Sequence, residues 1–164
     1  MPRVGTPPRM DPEAKLEEMG IDLPDVADPV ADYVPAVETE ANTVYVSGQL
    51  PTDEEGQLLA TGRVGDDVSL EAAKEAAQRC AVNILAAVKD AVGDLSRVNR
   101  VVRVEGFVAS ADDFTQQPSV VNGASELFGD VFGPAGRHSR FAVGCNVLPL
   151  DTAVEIGAIL EVED

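Results

Sequence analysis

Two stretches near the C-terminus alternate large apolar residues with smaller ones, and they constrain the fold more than any other part of the chain. Both lie within residues 137–159, and both have the two-residue period and β-branched residues that are typical of strands. Pro149 and Asp151 separate the two stretches and are typical of turns. The sequence therefore predicts two consecutive strands that pair as a β-hairpin. The alternating positions are Phe141, Val143 and Cys145, then Val154, Ile156 and Ala158.

Each of these predicted strands carries one charged residue. Arg140 opens the first strand, and Glu155 lies between Val154 and Ile156 in the second. A guanidinium can grip a carboxylate through two parallel hydrogen bonds, and a carboxylate can hold a water molecule. In a hairpin, the side chains of Arg140 and Glu155 can face one cleft.

The remaining sequence predicts the other elements of an α+β domain. A helix from Ser69 to about Val92 has an alanine-rich apolar stripe and a serine that can cap its first turn. The order of elements predicts two helices packed on one face of a mixed sheet. We expect a tail and a short helix in residues 1–30 and one domain over residues 31–164. The other predicted elements are a short helix at 11–20, a hairpin at 33–38 and 43–48, a strand at 98–109 and a helix at 118–131.

The predicted strand at residues 98–109 has apolar residues on both of its sides. A strict two-residue period puts Val98, Val102 and Val104 on one side. It puts Val101, Arg103, Glu105 and Phe107 on the other.

The charge of the chain limits the classes of partner. Its 29 acidic residues outnumber its 12 basic residues, which gives a net charge of −17. Molar salt screens such self-repulsion, and the composition is similar to that of proteins from halophiles that accumulate salt. Because nucleic acids are bound by basic patches, we do not expect a nucleic-acid partner.

The sequence contains no run of about 18 apolar residues, so we expect no membrane-spanning helix. Residues 1–9 lack the apolar region of a secretory signal, and we expect a cytoplasmic protein. Cys80 and Cys145 are far apart and have no metal-ligand spacing around them, so we predict free thiols and no metal site.

Several motifs, taken together, resemble the RidA/YjgF family of small enamine/imine deaminases, also called endoribonuclease L-PSP or translation initiation inhibitor. At the C-terminal end, Arg140 is followed after seven residues by Leu148-Pro149 and then by Glu155 within Val-Glu-Ile. The resemblance extends over residues 30–162. The upstream motifs are Val44 to Pro51, Phe107-Val108, Phe114 and Val121-Asn122.

This resemblance implies a chorismate-mutase-like fold and a homotrimer with each active site between neighbouring subunits. It implies hydrolysis of a 2-aminoacrylate-like enamine or imine to a 2-oxo acid and ammonia, as in 2-iminobutanoate/2-iminopropanoate deaminases, with no cofactor. Arg140 would bind the substrate carboxylate, and Glu155 would position the attacking water. Ser47, Gly48, Tyr33, Phe107 and Asn122 match family positions that line the site.

His138, the single histidine, precedes Arg140 by two residues, so we expect it on the same side of the strand and count it as a substrate-binding candidate. The chain departs from the archetypal family pattern at His138, at Ala142 and at Gly157, which indicates a side branch. These departures keep the carboxylate anchor but do not define the exact substrate.

Two other functions are compatible with these residues. A chorismate-mutase-type enzyme would need several cations around a dicarboxylate, and Arg140, with Arg137 nearby, is the main candidate here. A non-enzymatic module that binds a small carboxylic acid would need only the carboxylate anchor.

Overall fold

Five strands form one mixed sheet in the computed structural model, which describes residues 10–26, 28 and 31–164. They are β1 (Ala36–Glu38), β2 (Thr43–Gln49), β3 (Val98–Ala109), β4 (Ser139–Cys145) and β5 (Val154–Val162). Their order across the sheet is β1-β2-β5-β3-β4. The β3–β4 pair is parallel and the other pairs are antiparallel. The predicted α+β fold with a mixed sheet is confirmed.

Three α-helices accompany the sheet within the described residues: α1 (Pro12–Glu18), α2 (Leu70–Val92) and α3 (Gln117–Phe132). The start of α2 agrees with the prediction, because the Ser69 hydroxyl accepts a hydrogen bond from the Ala72 amide at 3.1 Å. The helix ends at Gly93, whose φ of 90° suits glycine. Of the helices described, none has the length and hydropathy needed to span a membrane.

The helices α2 and α3 pack together and cover one face of the sheet. The stripe of α2 is buried and consists largely of alanine, so the helix can lie close to its neighbours. A Cβ atom at Gly123 of α3 would collide with the Lys74 carbonyl oxygen, which shows how closely α2 and α3 approach. Helix α1 joins the same core through the buried Leu16. The predicted tail at residues 1–9 lies outside the described residues.

The predicted C-terminal hairpin is wrong. Strands β4 and β5 do not pair with each other, because β3 lies between them and pairs with both. The connection between β4 and β5 contains a 3-10 turn at Pro149–Asp151, where Leu150 and Asp151 have positive φ angles. Alternation identifies a strand but not its partner, and the twelve-residue β3 offers both of its edges.

The predicted sides of β3 are also partly wrong. Register shifts against β5 occur between Val98 and Arg100 and between Val101 and Arg103. As a result, Val98, Val101 and Val104 are fully buried, whereas Val102 is exposed. A β-bulge breaks the two-residue period, and sequence alternation alone cannot locate it.

Candidate functional site

The two predicted catalytic residues project from opposite faces of the sheet. Arg140 pairs with Val104 of β3, and Glu155 pairs with Phe107. Since Val104 and Phe107 are an odd number of residues apart on a regular stretch of strand, their side chains point to opposite faces. Arg140 therefore lies on the side of α3, and Glu155 lies on the other side, which we call the open face. Within one chain, they do not share a cleft.

Arg140 is held by neutral groups of α3. Its Nη1 donates to the Ser125 hydroxyl at 2.9 Å, and its Nη2 donates to the Pro118 carbonyl at 3.1 Å. These bonds use two of the five guanidinium N–H donors. Among the described residues, no carboxylate lies within ion-pair distance of Arg140, and the same holds for Arg79, Arg100 and Arg137. By contrast, Arg63, Arg97 and Arg103 pair with acids. The charge of Arg140 thus remains available to a ligand.

His138 lies on the same side as Arg140, as predicted. It extends the hydrogen bonds that begin at Arg140 and Ser125. Its Nδ1 lies 2.6 Å from the Gly136 carbonyl, and its Nε2 lies 2.8 Å from the Ser125 hydroxyl. The edge of the ring meets Phe128 with a centroid separation of 6.0 Å. Burial lowers the pKa of His138, the Gly136 hydrogen bond opposes this shift, and the positive charge of Arg140 adds to it. The imidazole is therefore neutral at neutral pH.

Asn122 lies on α3 three residues before Ser125, so the two are neighbours on the helix surface, and Asn122 is half-buried. We call Arg140, Ser125, His138 and Asn122 the α3-side cluster. It contains three of the residues that the sequence analysis proposed, and it adds Ser125.

Glu155 is the centre of a second group on the open face. Burial raises the pKa of its carboxyl group, and among the described residues it has no hydrogen-bond or ion-pair partner. A Cβ atom at Gly48 would collide with its Oε1, so glycine is needed for the carboxylate to occupy this position. Phe107 pairs with Glu155 across the strands and packs against Phe141, with ring centroids 5.5 Å apart. A desolvated carboxylate of this kind is suited to accept a proton.

The two remaining predicted residues lie near Gly48. The Ser47 hydroxyl donates to the Val34 carbonyl at 2.7 Å, which ties β2 to the segment before β1. Tyr33 is 55% exposed and, with Gly48, lines a cavity of about 600 Å³. The same cavity is lined by Asn83, Ala86 and Ala87 of α2, so Tyr33 lies beside it and not next to Glu155. We call Glu155, Gly48, Ser47 and Phe107 the open-face cluster.

The cavity beside Gly48 is acidic. The part of its lining that the structure describes includes Asp25, Asp28, Asp53 and Glu54 and contains no lysine or arginine. A substrate carboxylate in this cavity would therefore need a cation from elsewhere. Within residues 10–26, 28 and 31–164, no group of three or more His, Cys, Asp or Glu residues is arranged to hold a metal ion.

A comparison with protein families identifies the fold. The family model described as "YjgF/chorismate_mutase-like, putative endoribonuclease" matches residues 13–161. The chain belongs to this YjgF family. The predicted resemblance to RidA/YjgF proteins and the predicted chorismate-mutase-like fold are thereby confirmed.

Three relatives show how far the YjgF resemblance extends. Protein TCP17 of Trypanosoma cruzi is 41% identical over 152 residues, which are 92% of this chain and 94% of the relative. The 2-iminobutanoate/2-iminopropanoate deaminase of Dermatophagoides farinae is 32% identical over 143 residues, covering 87% of this chain and 95% of the relative. Atu1372 from Agrobacterium tumefaciens, a protein of unknown function with a crystal structure, is 48% identical in sequence. Its structure matches with a TM-score of 0.86 over 93% of this chain and 92% of Atu1372.

Sequence reasoning missed Ser125 in this YjgF-family chain. A signal for it exists, because Val121, Ser125 and Phe128 follow the helical period and Ser125 is the polar residue among buried apolar ones. The charge on Glu155 also contributes, after burial, to the raised pKa of Cys145, so this thiol lies close to the open-face cluster.

Proposed function

We propose that this protein hydrolyses reactive enamine/imine intermediates of the 2-aminoacrylate type to 2-oxo acids and ammonia. We further propose that it acts as a homotrimer in which Arg140 of one subunit and Glu155 of the next complete each active site. The deaminase relative from Dermatophagoides farinae supports the reaction class. The name endoribonuclease finds no support in the composition, because a net charge of −17 opposes the binding of a phosphate backbone.

The observation that carries this proposal is the unpaired charge of Arg140. In a chain with 29 acidic residues, this arginine binds a hydroxyl and a carbonyl and has no acid beside it among the described residues. An arginine held in this way can still make a two-pronged contact with a ligand carboxylate.

The open face supports an assembly of several subunits. Val37, Tyr45 and Val143 lie on this face and are 48%, 52% and 41% exposed. Exposed apolar side chains on one sheet face are typical of an interface between subunits. In a cyclic trimer the contacts are head-to-tail and join different patches of the two subunits. A neighbour that meets this face with the sheet edge formed by β4 would bring its Arg140 towards Glu155, which would reconcile the opposite orientations of the two residues.

The proposed reaction needs only positioning and proton transfer. Arg140 holds the carboxylate of the imine tautomer, and Glu155 of the neighbouring subunit orients a water molecule and accepts its proton as oxygen attacks the imine carbon. The proton then passes to the nitrogen, which gives a carbinolamine. Glu155 next takes the proton of the carbinolamine hydroxyl and delivers it to the nitrogen, so that the C–N bond breaks and ammonia leaves as the carbonyl forms. Because burial raises the pKa of Glu155, its carboxylate is a stronger base than an exposed glutamate.

Turnover of freshly generated 2-iminobutanoate, assayed in molar potassium chloride, tests the proposal. Arg140→Ala should lower kcat/KM by roughly tens- to thousandsfold, because a charge-assisted contact with the substrate is lost. Arg140→Lys should also be poor, since a point charge cannot reproduce the planar contact.

Arg137→Ala is the matched control, because Arg137 is exposed and lies three residues away on the same segment. Similar effects of the Arg137 and Arg140 substitutions would contradict the assignment of the anchor. Binding of 2-oxobutanoate without imine hydrolysis would instead identify a carboxylate-binding module.

A further inference from the structure

Ser125 joins two side chains that the sequence motifs had singled out separately. Its hydroxyl lies 2.9 Å from Nη1 of Arg140 and 2.8 Å from Nε2 of His138. Ser125 and His138 are both partly buried. Helix α3 contributes Ser125 to this hydrogen-bonded series, β4 contributes Arg140, and the 3-10 turn Gly133–Gly136 contributes the Gly136 carbonyl. Helix α3 thus contacts the guanidinium of Arg140 directly, and the 3-10 turn is connected to it through His138 and Ser125.

The direction of each hydrogen bond in this chain is determined by chemistry. The Gly136 carbonyl can only accept, so Nδ1 of His138 carries the proton and donates to it. The neutral imidazole then has a bare Nε2, which accepts from the Ser125 hydroxyl. Since that hydroxyl has a single proton, its oxygen is left to accept from Arg140. Each donor in this series of hydrogen bonds has one acceptor. The bonds all run in one direction, from Arg140 through Ser125 and His138 to the Gly136 carbonyl.

We infer that Ser125 and His138 are positioning residues that hold Arg140 in the orientation needed to bind the substrate carboxylate. The inference rests on the proposed function, in which Arg140 is the carboxylate anchor. Arginine has many rotamers, and a guanidinium that is already oriented loses less entropy when it binds a carboxylate. The neutral partners orient Arg140 without neutralising it, as a carboxylate partner would.

The same hydrogen bonds argue against Ser125 as a nucleophile. A serine activated by histidine attacks through a lone pair of its oxygen, and here that oxygen accepts a hydrogen bond from a guanidinium, which reduces its electron density. The pair is therefore suited to orient Arg140 rather than to form a covalent intermediate.

The ligand-free protein provides the first test through nitrogen NMR of His138. The inference requires the tautomer with a protonated Nδ1 and a bare Nε2 at neutral pH, and it requires that Ser125→Ala shifts the guanidinium resonances of Arg140. A protonated Nε2, or Arg140 resonances unchanged by Ser125→Ala, would overturn it. This test does not depend on any substrate.

Kinetics on 2-iminobutanoate provide the second test. Ser125→Ala should raise KM roughly tenfold and leave kcat nearly unchanged, because a hydrogen bond to a charged group that orients the anchor is lost. Ser125→Thr keeps the hydroxyl and should restore the parent KM. Ser119→Ala, on the same helix and without a side-chain hydrogen bond in the described structure, is the control and should behave like the parent protein.

An unchanged KM in Ser125→Ala, or a fall in kcat at constant KM, would overturn the inference. If the parent protein neither turns over 2-iminobutanoate nor binds 2-oxobutanoate, the proposed function fails. The NMR result then still decides whether Ser125 and His138 position Arg140.

Discussion

The charged residue of the α3-side cluster and that of the open-face cluster have opposite kinds of surroundings. Arg140 has hydrogen-bond partners on two of its donors, all of them neutral, and it keeps its full charge. Glu155 has no such partner among the described residues and is held by the space that Gly48 leaves open. An oriented cation is suited to binding, and a desolvated carboxylate is suited to proton transfer. In the proposed site, the first half would therefore bind the substrate and the second half would perform the chemistry.

Removing the charge of Glu155 should have the largest effect on the chemical step. Glu155→Gln should lower kcat by about 10²- to 10⁴-fold, which is the usual contribution of a general base, and change KM little. Steady-state kinetics on 2-iminobutanoate measure this. If Glu155→Gln changed KM and not kcat, the two halves of the site would not be divided between binding and chemistry.

The same substitution should also change stability, with a sign set by the pKa. Burial raises the pKa of Glu155 above its ordinary 4.5, so the folded protein holds the proton more tightly than the unfolded chain. The stabilising contribution is therefore complete below pH 4.5 and is lost as pH rises through the folded pKa. Glu155→Gln should melt at a higher temperature than the parent protein near neutral pH, and the difference should shrink in acid.

A smaller effect is expected from Gly48→Ala. The added Cβ would displace the Glu155 carboxylate, and a displacement of this size should lower kcat roughly ten- to a hundredfold. Gly129→Ala is the control, because a Cβ there meets nothing within 4 Å and alanine suits the interior of α3. Parent-like kcat in Gly48→Ala would show that the position of Glu155 is not critical.

The smallest expected effect is on the pH dependence of stability, and it comes from His138 in the α3-side cluster. The pKa of His138 is lowered from 6.5, chiefly by burial, so the unfolded chain binds its proton more tightly than the folded protein. The stabilising contribution is present above pH 6.5 and is lost as pH falls through the folded pKa. His138→Gln should remove this loss of stability at low pH, measured as the free energy of unfolding in denaturant titrations. An unchanged pH profile in His138→Gln would contradict the neutral imidazole.

Local patterns predicted the elements of this fold well. The strand at residues 98–109 and the capped helix that follows Ser69 agree with the structure, because both depend on periodicity and on a capping residue close in sequence. The C-terminal hairpin failed because strand pairing depends on distant residues, and β3 takes the place between β4 and β5. The halophilic composition, the cytoplasmic location and the homotrimer stay predictions.

The candidate site could be predicted in part. The motif around Leu148-Pro149 located Arg140 and Glu155, but the expected shared cleft depended on the hairpin and is absent from the single chain that the structure describes. Ser125 was missed because its role comes from the packing of α3 on β4, and a sequence does not reveal which polar residue in a helix faces a strand.

Mixing two inactive variants tests the central claim most directly. In a trimer assembled from equal amounts of Arg140→Ala and Glu155→Gln subunits, about a quarter of the interfaces would join an intact Arg140 to an intact Glu155. Unfolding and refolding the two proteins together should therefore restore about a quarter of the parent activity on 2-iminobutanoate, while each variant refolded alone stays inactive. If the mixture stays as inactive as its components, Arg140 and Glu155 do not meet across a subunit interface, and the proposed site is wrong.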